Sequence, residues 1–378
     1  MALSKPQLGT QSPIQCQLCE QDPKISWKCV ECELLMCSLC KNNIHPKIKT
    51  AGEHRIISIK DIGNTLLSNK GIGSTPGSTK DCTNVDLTVV GEYKTNLDSI
   101  FQLAISLDDS LWISDGVHKK GIRFFAPYTG LQKVKCEGNK LKVISNFNIH
   151  IYCLAITHDN DLLIATEGPI LKQIKSGTNK IIDTVFDLTP YEPVSIHITR
   201  QNKIIVGAYD DGKGMVIAMD HKGKHDKIYD ECQNKGISFN VPWRITATSN
   251  DNIFVSDMSN QEYEGRVVVM GPGDFINTYS GHPDINTENR PFSPSDLTTT
   301  PADNVIIVDD YSRSLHILNT SGELITHIST KDTGIVENPF CIGLAMAGHF
   351  CMLYIGTLTE QGNTEKVKLY KLNLKGCK

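Results

Sequence analysis

From Val85 onward, short runs of β-branched and aromatic residues alternate with polar turn residues, and helical periodicity is almost absent. This alternation is typical of an all-β domain. One apolar phrase recurs along it, as in Leu111-Trp-Ile-Ser-Asp115 and Ile253-Phe-Val-Ser-Asp257. The phrase occurs six times, and successive copies lie 42 to 52 residues apart: they occupy residues 111–115, 162–166, 204–208, 253–257, 305–309 and 353–357.

The residues around each phrase define a repeating unit. A polar pair such as Asp108-Asp109 precedes most copies, a further apolar run usually follows, and four copies have a proline-led run ahead of them, beginning at Pro193, Pro242, Pro294 and Pro339. Proline is tolerated at the first position of a strand. Four strands in roughly 40–50 residues make one propeller blade, so the repeat predicts a six-bladed β-propeller. An extra strand at residues 85–93 is expected to close the ring at the outer edge of the last blade.

The first 60 residues follow a different pattern, because they contain too few apolar side chains to sustain a core. Segments this short usually need a metal or disulfides to fold. Three CxxC pairs and two histidines supply ligands, namely Cys16, Cys19, Cys29, Cys32, Cys37, Cys40, His45 and His54. Zinc takes four sulfur or nitrogen ligands, so eight ligands predict two closed, structural zinc sites.

Two questions about this cluster stay open at the level of spacing. A disulfide framework is the alternative to zinc, although residues 1–15 do not resemble a signal peptide and a disulfide scaffold has no use for the histidines. The ligands can also pair sequentially, the first four and then the last four, or in an interleaved order. His45 and His54 have the further alternative of being ordinary surface histidines.

The ligand pattern resembles a B-box zinc finger of tripartite-motif (TRIM) proteins over residues 12–59. The resemblance implies interleaved pairing, with Cys16, Cys19, Cys37 and Cys40 on one ion and Cys29, Cys32, His45 and His54 on the other. The blades resemble NHL repeats, most closely at residues 305–318 followed by Ser321-Gly322. No RING finger is expected before Cys16, so direct ubiquitin-ligase activity is not expected. No coiled coil is expected after the finger, so the protein is expected to be a monomer.

Between the two predicted domains, residues 60–83 form a linker that contains Gly-Ile-Gly-Ser-Thr-Pro-Gly-Ser-Thr, a composition typical of a flexible tether. The predicted domains are therefore the finger at 12–59 and the propeller at 84–378. The net charge is −4, with a basic excess in residues 1–60 and an acidic excess afterwards. This distribution argues against a general polyanion binder and disfavours RNA, despite a local basic cluster at Lys119, Lys120 and Arg123.

Composition also bears on location. No apolar stretch reaches 18 residues, so no transmembrane helix is expected. Seven cysteines are scattered outside the finger, which fits buried thiols in a reducing compartment and favours a cytoplasmic protein.

Candidate chemistry in the propeller is sparse. Asp115, Asp257 and Asp309 end equivalent strands, where they serve either as ligands of a channel-mouth hydrolase or as formers of local turns. The turn role is favoured, because the repeat places one Asp in each of several blades. Cys153 and Cys341 lie in apolar runs and are expected in the core. No nucleophile, metalloprotease or phosphate-loop motif appears, so no catalytic residue and no organic cofactor is predicted.

Binding is the favoured function. The proline-led loops are expected to line one face of the propeller and to present Tyr191, Trp243 and Arg244 to a partner, since aromatic and arginine residues are typical interface anchors. The alternative is that Trp243, like Phe292 and Phe340, packs between blades. The sequence thus predicts a zinc-binding intracellular adaptor for protein partners, with ubiquitin-related pathways implied by the TRIM resemblance. An RNA-binding NHL-type regulator and a propeller hydrolase are the alternatives.

Overall fold

The computed structural model divides the chain into two compact units, Met1–Thr79 and Lys80–Lys378. It describes residues 19, 27–29, 35–43, 45–47, 56–58, 85–115, 130–210, 212–230, 238–259, 264–272, 275–347, 350–359 and 366–376. The predicted linker at 60–83 lies outside the described residues, so the division into 12–59, 60–83 and 84–378 stays a prediction.

The first unit contains a small antiparallel sheet and one short helix. Its strands β1 (Trp27–Cys29), β2 (Leu35–Met36) and β3 (Ile56–Ser58) lie in the order β2-β1-β3, and helix α1 (Ser38–Asn43) follows β2. A 3-10 turn covers His45–Lys47. The described core of this unit is tiny: Met36, Cys37 and Cys40 are fully buried, and Trp27 packs against them. A core of this size cannot stabilise a fold alone.

The described residues of the second unit form six four-stranded antiparallel sheets, as predicted for six blades. Five sheets have their strands in sequence order, and the sixth takes its outer strand from the start of the unit. The strands of blades 1 to 3 are β5 (Gln102–Ile105), β6 (Leu111–Asp115), β7 (Gly130–Glu137), β8 (Lys140–Phe147); β9 (Cys153–Ile156), β10 (Leu162–Ala165), β11 (Ile170–Ile174), β12 (Ile181–Asp187); and β13 (Glu192–Ile198), β14 (Ile204–Asp210), β15 (Lys213–Met219), β16 (His225–Tyr229). Those of blades 4 to 6 are β17 (Pro242–Ala247), β18 (Ile253–Met258), β19 (Gly265–Met270), β20 (Phe275–Tyr279); β21 (Pro294–Thr299), β22 (Val305–Asp309), β23 (Ser314–Leu318), β24 (Leu324–Ser329); and β25 (Asn338–Ala347), β26 (Phe350–Leu358), β27 (Lys368–Lys375), β4 (Asp86–Lys94).

Blade 6 is completed by the strand that precedes blade 1. Strand β4 pairs antiparallel with β27, and Tyr370 lies opposite Glu92 in that ladder. Lys368 adds ion pairs of 2.8 Å to Glu92 and 3.1 Å to Glu337. The predicted closure by residues 85–93 is therefore confirmed, and it joins the two ends of the propeller by backbone hydrogen bonds.

The recurring phrase forms the second strand of every blade. These strands are buried on both faces, and every residue of β10, β18 and β22 is buried. Each is packed between neighbouring blades, which explains why the phrase is continuously apolar rather than alternating. The outermost strands differ, since β12 is exposed at most positions.

The polar pair that precedes the first five copies of the phrase forms the hairpin turn between the first and second strands. Its Asp or Asn adopts a left-handed conformation, with φ between 60° and 63° at Asp109, Asn160, Asn202, Asp251 and Asp303. Asp and Asn tolerate this conformation better than other residues with a side chain. Some of these turns also join blades. Asn160 Oδ1 accepts a hydrogen bond of 2.7 Å from the Leu107 amide, and Asp303 Oδ1 accepts one of 2.8 Å from the Ser249 amide.

Among the described residues, no helix has the length and apolarity to cross a membrane.

Candidate functional site

Three thiols converge in the first unit. The Sγ atoms of Cys19, Cys37 and Cys40 all lie within 4.8 Å of one another. The short helix α1 begins directly after Cys37, so its first turn brings Cys40 back beside that thiol, and the amide of Cys40 donates to Cys37 Sγ over 3.4 Å. Cys37 and Cys40 are buried, and Cys19 is partly buried. No disulfide joins Cys19, Cys37 and Cys40.

This donor set fits zinc. Tetrahedral zinc with sulfur at ~2.3 Å places neighbouring sulfurs about 3.8 Å apart, within the spread of these thiols. Trp27 covers the cluster: its indole N–H donates to Ser38 Oγ over 3.1 Å, and Lys41 Nζ lies 3.4 Å from the ring centroid. The three cysteines can therefore hold one metal ion, with a fourth ligand to be supplied by another residue.

The remaining predicted ligands are only partly described. His45 is 1% exposed and begins the 3-10 turn after α1. Cys29 ends β1, and its backbone pairs with Ile56 of β3. Cys16, Cys32 and His54 lie outside the described residues, so a second zinc site stays a prediction.

The repeated aspartates of the propeller bind the segment that precedes the first strand of their own blade, rather than a local turn alone. Asp257 Oδ1 accepts hydrogen bonds from the amides of Asn240 and Val241 at 2.8 and 3.0 Å, and these bonds fix the loop before β17. Burial raises the pKa of Asp257, although Arg266 and these amides oppose the shift. The Asp115 carboxylate accepts from Ser99 Oγ at 3.1 Å, so it too bonds to the segment before its blade's first strand.

In blade 5, Asp309 likewise binds the segment before its blade's first strand, and it also bonds to side chains. It accepts from the Ser293 amide at 3.2 Å and from Asn286 Nδ2 at 2.7 Å, and His316 Nε2 lies 3.4 Å away. Burial alone would raise its pKa, but the neighbouring His316 and hydrogen bonds from Ser312 and Asn286 outweigh burial and hold the pKa below its ordinary value.

The expectation that Trp243 and Arg244 lie on exposed loops is wrong, because both belong to the first strand of blade 4 and are 8% and 4% exposed. The Trp243 indole donates to the Ser295 carbonyl of blade 5 over 3.2 Å, so it packs between blades. Phe292 and Phe340 are buried as well, and Tyr191 is partly buried against an apolar cluster. Whether any of them contacts a partner stays a prediction.

Arg244 lies in the central channel. Its Nη1 donates to the Trp243 carbonyl over 2.7 Å, its Nη2 reaches the Phe101 carbonyl of blade 1 at 3.4 Å, and its Cζ lies 4.4 Å from the Trp243 ring centroid. Blades 1 and 4 are opposite each other in a ring of six, so this side chain spans the channel. Asp296 of blade 5 faces it, with 3.6 Å between Arg244 Nε and Asp296 Oδ1.

A cavity of about 240 Å³ adjoins this pair and is lined by the first strands of all six blades. Strand alternation sorts the lining into rings of equivalent positions. Gln102, Cys153, Arg244 and Asp296 belong to the first ring. The next ring consists of small or polar side chains, namely Ala104, Ala155, His197, Thr246, Thr298 and Gly343.

Electrostatically, the cavity holds two charges among the described lining residues. Burial raises the pKa of Asp296 to about 6, although Arg244 and the amides of Ile342 and Leu297 oppose the shift. Although His197 is partly exposed, desolvation by the surrounding protein lowers the pKa of its ring to about 4, so this ring is neutral at pH 7. Burial raises the pKa of the Cys153 thiol, as expected for a core cysteine.

Sequence reasoning missed this cavity. It singled out Arg244 but placed it at the surface, and it did not consider Asp296, His197 or Gln102. The signal was available: Arg244 and Asp296 occupy the same position in the proline-led runs that begin at Pro242 and Pro294. Equivalent positions of a propeller's first strands meet around its axis.

No family model and no curated protein matches this chain. Solved structures of the same fold do match. A protein of unknown function from Dyadobacter fermentans aligns at 11% identity with a TM-score of 0.53, over 76% of this chain and 99% of that one.

Two named proteins are similar at the same level. A luciferin-regenerating enzyme aligns at 9% identity with a TM-score of 0.51, over 76% of this chain and 95% of that one. A protein provisionally named a gluconolactonase aligns at 10% identity with a TM-score of 0.51, over 77% of this chain and 94% of that one. Identities this low establish the propeller fold and nothing finer.

Proposed function

We propose that this chain is a zinc-organised adaptor, in which a B-box-like finger holds two zinc ions and the propeller recognises protein partners. The observation that carries the proposal is the convergence of Cys19, Cys37 and Cys40. Their unit has almost no apolar core among its described residues. Metal ligation would supply the stability that such a core cannot, because the binding free energy of a structural zinc is also folding free energy.

The membership of the cluster supports the interleaved pairing. Sequential pairing would place Cys19 with Cys29 and Cys32, and would leave Cys37 and Cys40 to a different ion. Instead Cys19 lies beside Cys37 and Cys40. This is the grouping that the B-box resemblance implies, with Cys16 as the fourth ligand and with Cys29, Cys32, His45 and His54 left for the second ion.

The propeller's described surface supports protein recognition. Outer strands expose apolar side chains, including Ile144 at 52%, Ile182 at 40% and Val185 at 66%. Solvent-exposed edge strands with apolar side chains are prone to associate with other chains. By the TRIM resemblance, a ubiquitin ligase is one class of partner, with this chain serving as its substrate receptor or competitor.

A propeller hydrolase is the alternative, because proteins of this fold include one provisionally named a gluconolactonase. A hydrolase centre built on a divalent ion needs several oxygen or nitrogen ligands at one point. Among the described residues that line the cavity, Asp296 supplies the only carboxylate. The sole group of three or more candidate ligands in the described residues is the thiol cluster of the finger. The geometry therefore favours the adaptor.

Zinc content of the purified full chain tests the first half of the proposal. Mass spectrometry of the metal should find two zinc ions per chain, and Cys19→Ser should lose one ion or both. Cys136→Ser is the matched control, since this partly buried thiol lies in the propeller, and it should keep both ions. Unchanged zinc in Cys19→Ser, or a disulfide involving Cys19 in the native protein, would contradict the proposal. An ion that survives in Cys19→Ser and is lost in Asp296→Asn would favour the hydrolase.

Partner recognition is tested with the full chain as bait. Proteins captured by the wild type and by Cys19→Ser bind through the propeller, whereas those lost from Cys19→Ser require the finger. A parallel titration of labelled single-stranded RNA against salt covers the remaining class. Tight RNA binding with a steep salt dependence would contradict recognition of proteins alone, because that dependence reports phosphate contacts.

A further inference from the structure

The base of the central cavity is a buried arginine with unused donors. Arg244 is 4% exposed. Its guanidinium carries five N–H groups, and the two hydrogen bonds that it makes go to the carbonyls of Trp243 and Phe101. Among the described residues, Nε has no hydrogen-bond acceptor. Buried donors normally have acceptors, so this arginine keeps unused hydrogen-bonding capacity beside the cavity.

Asp296 does not supply that acceptor. Its Oδ1 lies 3.6 Å from Arg244 Nε, beyond hydrogen-bond distance. Each carboxylate oxygen already accepts one backbone hydrogen bond, Oδ1 from the Leu297 amide at 2.8 Å and Oδ2 from the Ile342 amide at 2.9 Å. The carboxylate is thus anchored to backbone and balances the charge of Arg244 from a distance.

The cavity extends from this pair toward the carboxyl ends of the first strands. Arg244 and Asp296 are the first residues of their strands to line it, and Thr246 and Thr298 follow further along. Several residues of this next ring are partly exposed, including Ala104, Ala155 and His197. Solvent therefore reaches the cavity on that side, while Arg244 spans the channel at its base.

We propose that this cavity binds a short monocarboxylic acid, whose carboxylate accepts hydrogen bonds from Arg244 and whose chain lies along the small side chains of the next ring. Arginine matches a carboxylate through paired, charge-assisted hydrogen bonds. The cavity of about 240 Å³ has room for several water molecules, which suits a chain of a few carbons. One cation partly balanced by Asp296 favours a monoanion over phosphate.

Binding should depend on pH through Asp296. Arg244 faces Asp296, and the thiols of Cys153 and Cys341 interact with its charge, while Gln102 and neutral His197 line the same cavity. Among these cavity groups, Asp296 is the one acid that changes charge between pH 6 and 8. Its pKa of about 6 means that a bound carboxylate favours proton uptake there. If only the protonated form binds, affinity falls by about 15-fold from pH 6.0 to pH 7.5. Asp296→Asn should abolish most of this dependence.

The test is a titration of the full chain with butyrate, followed by ligand-observed NMR, with butyramide as the uncharged isostere. Wild type should bind butyrate saturably in the millimolar range and ignore butyramide. Arg244→Gln should weaken binding at least tenfold. Arg290→Gln is the matched control, because Arg290 is exposed and outside the cavity lining, and it should bind as wild type does.

A second variant keeps the test decisive if Arg244→Gln fails to fold. Ala155→Leu fills the cavity and leaves Arg244 intact, so it should also weaken butyrate binding at least tenfold. The proposal is overturned if wild type shows no saturable binding, if butyramide binds equally well, or if Ala155→Leu binds butyrate with unchanged affinity.

Discussion

Asp310 should destabilise the folded propeller at neutral and higher pH. It follows Asp309 at the end of β22, and its Oδ1 is buried without a hydrogen-bond partner among the described residues. Burial, reinforced by the negative charge of Asp309, raises its pKa to about 7 against an opposing hydrogen bond from Ser293. The folded protein therefore holds this proton more tightly than the unfolded chain does.

The sign and size of the effect follow from linkage. A raised carboxyl pKa favours the fold at low pH, and that contribution is lost as pH rises through the folded pKa. With a pKa of about 7 folded and about 3.9 unfolded, the loss between pH 5 and pH 8 is about 2.5 kcal/mol. Asp310→Asn removes the ionisation, so its unfolding free energy relative to wild type should rise by about that amount over the same interval.

Urea unfolding of both proteins at pH 5 and pH 8, followed by tryptophan fluorescence, measures the difference. Comparing variant with wild type at each pH cancels any effect of acid on the first unit. Asp332→Asn is the matched control, because this aspartate is exposed in the 3-10 turn Lys331–Thr333, and it should show no such rise. A stability difference between Asp310→Asn and wild type that is the same at both pH values would refute the reasoning.

Three further predictions concern stability. Gly207→Ala should destabilise the propeller by about 2 kcal/mol or more, as in other overpacked cores, because the new Cβ would overlap with Ser195 Oγ. Urea denaturation measures this loss, and a variant as stable as the wild type would contradict the prediction. Tyr93→Ala should lower the unfolding free energy by about 3 kcal/mol, because Tyr93 is 6% exposed in the closing strand. Val90→Ala in the same strand should lower it little, because Val90 is 54% exposed. Equal losses of stability in thermal unfolding would argue against closure by β4. Asp309→Ala should cost about 3–5 kcal/mol by leaving its buried donors without an acceptor, and native hydrogen exchange should locate the loosening in blade 5.

Much of the propeller could be predicted from the chain. The recurring apolar phrase, the polar pair before it and the proline-led run each correspond to one part of every blade. These features are local: a left-handed turn selects Asp or Asn, and a strand buried on both faces selects a continuous apolar run. The closing strand was predictable for a similar reason, because residues 85–93 form a strand with no partner in their own sequence neighbourhood.

The placement of side chains was less predictable. Trp243 and Arg244 have the composition of interface anchors, and the sequence offers no local sign that one packs between blades and the other spans the channel. Arg244 meets Phe101 of blade 1 and Asp296 of blade 5. Those neighbours are separated from it by 143 and 52 residues, so only closure of the ring brings them together.

The sequence by itself determined the β class, the six-fold repeat and the candidate metal ligands of the first unit, because these depend on residue patterns within one strand, turn or CxxC pair. The tertiary structure decided which thiols share a point in space, namely Cys19 with Cys37 and Cys40, and which charges face each other at the propeller axis. Both outcomes depend on contacts between segments distant in the chain, whose distances are set by how the whole domain packs and not by the residues alongside them.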